Sequence, residues 1–239
     1  MKTRYCLEIL KRRCFSRKAV NWFCGLIMED LSNVRFEPLT SSAYFNPARM
    51  RFTQNGRNRT WDLMLKHDSV SCLLYHSVKK CLVFVQQFRP AVYVSRVVGN
   101  DAEKLNEIDW TEHPASLGLT YELCAGIVDK HLPPVEVMQE EILEECGFKV
   151  PLERIRKITQ FRSGVGVSSS TESVFFAEID DSMKVSEGGG NALEAELINV
   201  VYVPVDQVKQ LVFDESVPKP SGMAFAVLWF IANHAKQFL

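Results

Sequence analysis

The 239-residue sequence lacks several features that would assign it to a specialised class of protein. Its apolar runs, such as AFAVLWFIA at 224–232, are too short to cross a bilayer, which takes about 20 residues. Its formal charge is only −1, so no global field attracts nucleic acid or an anionic membrane. We therefore expect a soluble protein that binds neither nucleic acid nor membrane.

Paired cysteines and paired histidines are also missing. The seven cysteines are scattered, odd in number and never spaced as CxxC, and none of the five histidines has a partner at ligand spacing. This pattern argues against a disulfide framework or a zinc site and indicates a reducing compartment. We therefore expect the protein to be cytoplasmic.

Residues 1–34 form a basic extension that differs from the rest of the chain. Its first 28 residues carry seven Lys or Arg against the single acid Glu8. Such a basic, acid-poor segment is either a mitochondrial presequence or a variable, poorly ordered extension, with Met28 as an alternative start. The first interpretation would place the protein in mitochondria instead.

Turn signals and apolar runs predict one α+β domain after this extension. Asn-Gly in QNGRN, between RMRFT and RTWDLML, predicts an antiparallel hairpin within the region 35–66. Two buried antiparallel strands are predicted at 68–76 and 79–88, and PSGMAFAVLWFIANHAKQF predicts a closing helix. Further strands are predicted at 120–129, 153–161, 172–179 and 197–204, with a polar loop at 98–118 and a mobile loop, EGGGN, at 187–191.

A helix is predicted at 133–146, between prolines at its start and Gly147 at its end. Its apolar positions form one stripe, which consists of Val135, Met138, Ile142 and Cys146. Beside that stripe, Glu141, Glu144 and Glu145 project from one face at i, i+3 and i+4, and Glu140 and Glu144 form a further i, i+4 pair. Like charges at these spacings each destabilise a helix by roughly 0.2–0.5 kcal/mol.

A basic neighbour, a metal ion or water should offset the repulsion between these glutamates. The helix carries no Lys or Arg, and Lys130 and Lys149 fall outside its two ends. Hard oxygen ligands on a rigid face suit Mg²⁺ or Mn²⁺. The alternative is an acidic face that is simply solvated.

The stretch from Gly126 to Phe148 resembles the Nudix box, in which glycine, five residues, Glu and seven residues precede Arg-Glu-apolar-x-Glu-Glu-x-Gly-apolar. The matching positions are Gly126, Glu141, Ile142, Glu144, Glu145, Gly147 and Phe148. Two positions depart from the pattern: Leu132 replaces the first Glu, and Glu140 replaces the Arg that normally orients the glutamates.

The resemblance extends over residues 50 to 235, approximately, and this stretch is similar to the ADP-ribose pyrophosphatase branch of the family. The stretches that carry it are WDLMLKHDSV, VQQFRPAVY, YELCAGIVD, SGVGVSSSTESVFF and GGGNALEAELINVV. It implies a Nudix-type α/β/α sandwich with a mixed central sheet over 67–239. It also implies that the hairpin region 35–66 contributes to a homodimer.

The resemblance implies a two-metal hydrolytic site. Ala125, through its carbonyl, Glu141 and Glu145 would hold Mg²⁺, or alternatively Mn²⁺, with Glu144 assisting. A glutamate from a distal loop would act on the attacking water; Glu196 stands at the matching point and Glu194 is the runner-up. The alternative for these two is that they are ordinary exposed acids.

Substrate contacts are implied for residues from separate parts of the chain. Arg89 would contact a phosphate, or else is an ordinary surface arginine at the end of a strand. Gly126 would let the backbone approach metal and phosphate. Ser163, in SGVGVSSS, either touches substrate or belongs to a plain turn. Trp61 either stacks on the nucleobase, in a region that exchanges across the dimer, or packs in its own core.

The function implied is Mg²⁺-dependent hydrolysis of a nucleoside diphosphate sugar, foremost of UDP-glucose to UMP and glucose 1-phosphate. An ADP-ribose pyrophosphatase that gives AMP and ribose 5-phosphate is the first alternative. Leu132 and Glu140 keep open a third interpretation, a degenerate module that binds nucleotides without hydrolysing them.

Overall fold

A computed structural model describes residues 31–99, 101–191 and 196–234. Most of the basic extension, residues 1–30, therefore lies outside the described residues. Strands β1 (Phe45–Gln54) and β2 (Arg57–Lys66) form the predicted antiparallel hairpin. Its turn residues, Asn55 and Gly56, have φ values of 52° and 74°, as the tight hairpin turn favoured by Asn-Gly requires.

Within these ranges the chain forms a second sheet, which has seven strands and is mixed, as the resemblance implied. Strand β3 runs parallel to β8, and the other pairs are antiparallel. The strand order is β5-β4-β3-β8-β7, with β6 also paired to β3 and β9 to β4. The bounds are β3 Ser69–His76, β4 Cys81–Phe88, β5 Leu119–Glu122, β6 Cys124–Ile127, β7 Arg156–Ser163, β8 Ser170–Ile179 and β9 Ile198–Pro204.

Four α-helices lie in the described ranges: α1 Pro90–Val98, α2 Pro134–Cys146, α3 Val208–Phe213 and α4 Ser221–Asn233. The predicted helices correspond to α2 and α4, whereas α1 and α3 were not predicted. None of these helices combines the length and apolar character that a membrane span demands. Residues 235–239, which the prediction included in the last helix, lie outside the described residues.

Two predictions of local structure are wrong. The segment 98–118 is not a simple polar loop, because it contains three short 3₁₀ turns and buries Trp110 against Tyr93. The single strand predicted at 120–129 is split into β5 and β6. Strands β3 and β4 pair directly only at 74–76 and 81–83; β5 therefore pairs with the remaining length of β4 and β6 with that of β3.

Helices cover both faces of the sheet. Alternate residues of β3 point in opposite directions, so Val70 and Cys72 pack with α2 while Leu73 and Tyr75 pack with α3 and α4. Strands buried on both faces are apolar at consecutive positions, which explains the continuous run in CLLY. The result is the α/β/α sandwich that the resemblance implied.

Candidate active site

The candidate site lies at one end of the sheet. Because β4 and β6 run antiparallel to β3, and β9 runs antiparallel to β4, the last residues of β4 and β6 meet the first residues of β3 and β9. Arg89 follows β4, Ala125 and Gly126 belong to β6, and Glu196 precedes β9. The topology thus gathers residues that are far apart in sequence.

Helix α2 presents its acids to this end. It ends at Gly147, which has φ 71° and whose N–H donates to the carbonyls of Ile142 and Leu143, as a left-handed C-terminal glycine does. Met138, Ile142 and Cys146 are fully buried in the core on this face of the sheet. The predicted apolar stripe is confirmed, with Val135 only partly buried.

Glu145 is buried, and its burial was not predicted. Only 3% of its surface is exposed, and its Oε2 accepts a hydrogen bond of 3.0 Å from the Ala125 N–H. Burial raises the pKa of Glu145 to about 8, against the lowering effect of hydrogen bonds from Cys124 and Ala125; the charges of Glu141 and Glu196 raise it further. The signal for burial was available, because Glu145 follows Ile142 by three positions and Met138 by seven.

Glu141 lies directly over Gly126. A Cβ atom built on Gly126 would fall 2.0 Å from Oε1 of Glu141, so any larger residue there would displace the carboxylate. The box glycine therefore makes room for a box glutamate, and both meet beside Glu145.

The two departures from the family pattern have local explanations. Leu132 packs against the core on the α2 face, and Glu140 is paired with Lys130 at 2.6 Å. Lys130 precedes the helix yet reaches back to it, so one acid of the cluster has a basic neighbour after all. Glu144 is exposed.

Arg89 is held by an acid that the sequence did not single out. Its Nε and Nη2 donate to Oε1 and Oε2 of Glu122 at 2.9 and 2.7 Å. The hydrogen bond with Glu122 raises the pKa of Arg89 against the lowering effect of burial, and the charges of Glu122, Glu145 and Glu196 raise it further. The guanidinium therefore lies within electrostatic reach of the acidic cluster.

Glu196 is positioned by the glycine-rich segment 187–191. Its Oε2 accepts a hydrogen bond from the Asn191 N–H at 3.2 Å, and its own N–H donates to the Asn191 carbonyl. That segment, predicted to be mobile, is hydrogen-bonded to the end of α2: Gly189 N–H donates to the Glu145 carbonyl at 2.9 Å and Gly190 N–H to the Glu144 carbonyl at 3.3 Å. Glu194 lies outside the described residues.

Trp61 and the loop after Ser163 form a separate group. The Trp61 Nε1 donates to the Gly166 carbonyl at 2.9 Å, and 44% of the residue is exposed, so it does not pack in the core. Ser163 ends β7 and its carbonyl accepts a hydrogen bond from Ser168. Within the described part of the chain, no hydrogen bond or ion pair links Trp61 or Ser163 to Arg89 or Glu145.

The donor set fits a hard divalent cation in its chemistry. Carboxylate and carbonyl oxygens are the ligands that Mg²⁺ and Mn²⁺ prefer, and a buried carboxylate with a raised pKa is one that a cation would stabilise. As the side chains lie, no three His, Cys, Asp or Glu residues of the described ranges converge closely enough to hold an ion. Oε2 of Glu145 is engaged by the Ala125 N–H.

The mixed sheet, the glycine turn and the acidic helix match the fold and the box that the resemblance implied, and the relatives below show that the chain is a hydrolase acting on phosphoanhydrides. It belongs to the Nudix hydrolase family. It is 38% identical over 213 residues to the uridine diphosphate glucose pyrophosphatase NUDT14 of Bos taurus, which covers 86% of this chain and 96% of the relative. The Mus musculus protein of the same name is 35% identical over 214 residues, with the same coverage. A GDP-mannose pyrophosphatase of Salmonella typhimurium is 31% identical over 170 residues, 65% of this chain and 77% of the relative. No family model matches the chain.

Proposed function

We propose that the protein is a Mg²⁺-dependent hydrolase of nucleoside diphosphate sugars that acts foremost on UDP-glucose. Water would add across the P–O–P bridge, so that UDP-glucose gives UMP and glucose 1-phosphate. The observation that carries the proposal is the meeting of Glu141, Glu145 and Glu196 with Arg89 at one end of the sheet. The names of the relatives, which specify UDP-glucose and GDP-mannose, support a nucleotide-sugar substrate.

Charge balance supports a requirement for divalent cations. Among the described residues, Glu122, Glu141, Glu145 and Glu196 are grouped with Arg89, while Lys130, near Glu141, is already paired with Glu140. A diphosphate adds further negative charge. We propose that the Ala125 carbonyl, Glu141 and Glu145 hold Mg²⁺, or Mn²⁺ in its place, with Glu144 assisting. Bound ions of this kind offset charge on the diphosphate and lower the pKa of bound water.

We assign a chemical role to each of three side chains at the site. Glu196, fixed by the Asn191 N–H, would accept the proton of the attacking water, and Glu194 stays the runner-up. Glu145 would give up its proton when a cation binds, because metal ligands must be ionised. Arg89 would donate to a phosphate oxygen, a task suited to a permanently charged donor fork.

Recognition of the nucleoside or sugar would fall to the group formed by Trp61 and the loop after Ser163. The exposed ring of Trp61 is fixed by its hydrogen bond to Gly166, so it offers a preset stacking surface. Gly126 would keep the backbone close to the diphosphate. ADP-ribose stays the first alternative substrate, since none of these contacts specifies the base.

Steady-state kinetics with a panel of UDP-glucose, GDP-mannose and ADP-ribose would test the proposal, with Mg²⁺, with Mn²⁺ and with a chelator. We expect the highest kcat/KM with UDP-glucose, the products UMP and glucose 1-phosphate, and no turnover after chelation. Glu196→Gln should lower kcat by about 10²–10⁴-fold, the usual effect of losing a general base. Its matched control is Glu140→Gln, which removes an acid that pairs with Lys130 instead.

Two results would contradict the proposal. Binding of nucleotide sugars without hydrolysis would identify a non-catalytic module, and a preference for ADP-ribose would overturn the substrate assignment. Leu132 and Glu140 have local roles, in packing and in an ion pair. The retention of Glu141, Glu144, Glu145 and Glu196 argues against the non-catalytic alternative.

We also propose that the protein is a homodimer that forms through the β1–β2 hairpin. Within the described residues, β1 and β2 pair only with each other, and both strands are mostly exposed, including Met50 and Leu65. An isolated two-stranded hairpin is marginally stable in water, so a second copy would supply the missing cover. A cytoplasmic location stays a proposal as well, and the free, buried cysteines of the core support it.

A further inference from the structure

We propose that Glu122 is a positioning residue that holds the guanidinium of Arg89 in place for the substrate's diphosphate. This inference rests on the proposed function, because it assumes that Arg89 donates to a phosphate. The contact is a two-point one, from Nε and Nη2 of Arg89 to the two carboxylate oxygens at 2.9 and 2.7 Å. A bidentate pair of this kind fixes the plane of the guanidinium as well as its distance.

Glu122 is itself firmly held. Only 10% of its side chain is exposed, the Thr120 Oγ1 donates to its Oε1 at 2.5 Å, and the Gln87 Nε2 lies 3.4 Å from its Oε2. Its pKa is lowered because, although burial raises it, the hydrogen bonds and charge of Arg89 and the hydrogen bonds of Thr120 and Gln87 outweigh that effect. Glu122 is therefore an ionised, fixed partner near neutral pH.

The sheet supplies this arrangement. Glu122 lies opposite Val85, and Thr120 lies opposite Gln87, on the paired strands β5 and β4. The Arg89 N–H donates to the Gly118 carbonyl at 2.8 Å, so the backbone that carries the arginine is tied down beyond the end of β4. Val85 belongs to the core on the α2 face, which puts the Arg89–Glu122 pair on the same face as Glu145.

The ion pair with Glu122 keeps Arg89 from binding the acidic cluster. Arg89 lies within electrostatic reach of Glu145 and Glu196, and a free arginine would be drawn to those carboxylates. Bound to Glu122, it is kept apart from them, while its Nη1 has no hydrogen-bond partner among the described residues. Glu122 neutralises the charge of Arg89, so the pair orients the phosphate through a directed hydrogen bond. The net positive charge that offsets the diphosphate would come from the cations.

A double-mutant cycle on the full-length chain would test this inference, because residues that act as one unit are not additive. The variants are Glu122→Gln, Arg89→Ala and the double variant, assayed with UDP-glucose at saturating Mg²⁺. We expect Glu122→Gln to raise KM about 10- to 100-fold, the range for a hydrogen bond to a charged group, with kcat within about threefold. In the Arg89→Ala background the same change should have no further effect on kcat/KM.

Controls separate this role from a purely structural one. Glu172→Gln changes another part-buried acid, one that accepts a hydrogen bond from Ser71 and adjoins Gly222 of α4 on the opposite face, and it should leave KM unchanged. Thr120→Val removes one donor to Glu122 without touching Arg89, so it should raise KM in the same direction but less. It also serves as the test if Glu122→Gln does not fold.

The outcomes are distinguishable. An additive cycle, or a Glu122→Gln variant that melts earlier with unchanged KM, would overturn the positioning role while the proposed function stands. Should Glu122→Gln not fold, an unchanged KM in Thr120→Val would overturn the role in the same way. Wild-type protein that hydrolyses no nucleotide sugar would overturn both.

Discussion

Replacing Glu145 by Gln should stabilise the ion-free protein at alkaline pH while abolishing Mg²⁺-dependent turnover. The carboxyl is 3% exposed, and burial raises its pKa from an ordinary 4.5 to about 8. A carboxyl with a higher pKa in the folded state favours folding most below pH 4.5. That contribution is lost as the pH rises from 4.5 to about 8. Gln keeps an acceptor for the Ala125 N–H but carries no charge to be buried.

The size of the effect follows from the pKa. At about 1.4 kcal/mol per pH unit, a pKa that moves from 4.5 to about 8 corresponds to roughly 5 kcal/mol as an upper limit. Local relaxation around an ionised carboxylate reduces this, so we expect Glu145→Gln to raise the free energy of unfolding at pH 8 by about 2–4 kcal/mol. At pH 5 the same linkage leaves about 1 kcal/mol or less. For a chain of this size the gain at pH 8 corresponds to a Tm about 5–10 °C higher.

Thermal melts of both proteins in chelator at pH 5 and pH 8 would measure this difference. Added Mg²⁺ should stabilise the wild type, by about 2.7 kcal/mol at a hundredfold excess over its Kd, and should not stabilise Glu145→Gln. Glu140→Gln, which changes an exposed acid on the same helix, is the matched control and should lack the gain in stability at pH 8. The reasoning would be refuted if Glu145→Gln were less stable than wild type at pH 8, or if its Tm differed from that of wild type by the same amount at pH 5 and pH 8.

Two further predictions concern the glycine turn and the hairpin. Gly126→Ala would place a Cβ 2.0 Å from the Glu141 Oε1; because that side-chain end can move, we expect activity to fall about 10²-fold with little change in Tm. In Gly99→Ala, after α1, the new Cβ also meets nothing within 4 Å but the backbone has φ 65°, so a lower Tm with unchanged activity is expected there, and equal losses of activity in both variants would contradict the steric argument. Light scattering should give twice the chain mass for the wild type and the single chain mass for Leu65→Glu, whose side chain lies on the exposed hairpin. Val78→Glu, at an exposed site in the β3–β4 turn, should stay dimeric, and a monomeric wild type would exclude the homodimer.

The sequence predicted best where the signal was local. Asn55-Gly56 defined the hairpin turn, Gly147 defined the end of α2, and apolar runs identified the core strands. Helix α3 was missed because six residues give too short a window for helical periodicity. The split between β5 and β6 depends on where β3 and β4 separate, and no local pattern records that.

The candidate site follows the same division. The box residues Gly126, Glu141 and Glu145 could be found from the resemblance to the Nudix box, and the structure brings them together, while their chemical roles stay predictions. Glu122 could not be found, because its bond to Arg89 joins residues 33 positions apart and exists only through the pairing of β4 with β5. The ion pair of Lys130 with Glu140 was missed because it requires the chain before α2 to fold back along the helix.

The hydrogen bond from Trp61 to the Gly166 carbonyl has a consequence for how such an enzyme can diversify. It ties the hairpin to a surface loop, while the acids of α2 are anchored independently to β6 and to the glycine-rich segment. Under the role proposed for Trp61, substitutions in the hairpin or the loop would alter which nucleotide is selected without disturbing the acids of α2. New substrate ranges would then be accessible through few mutations at the periphery.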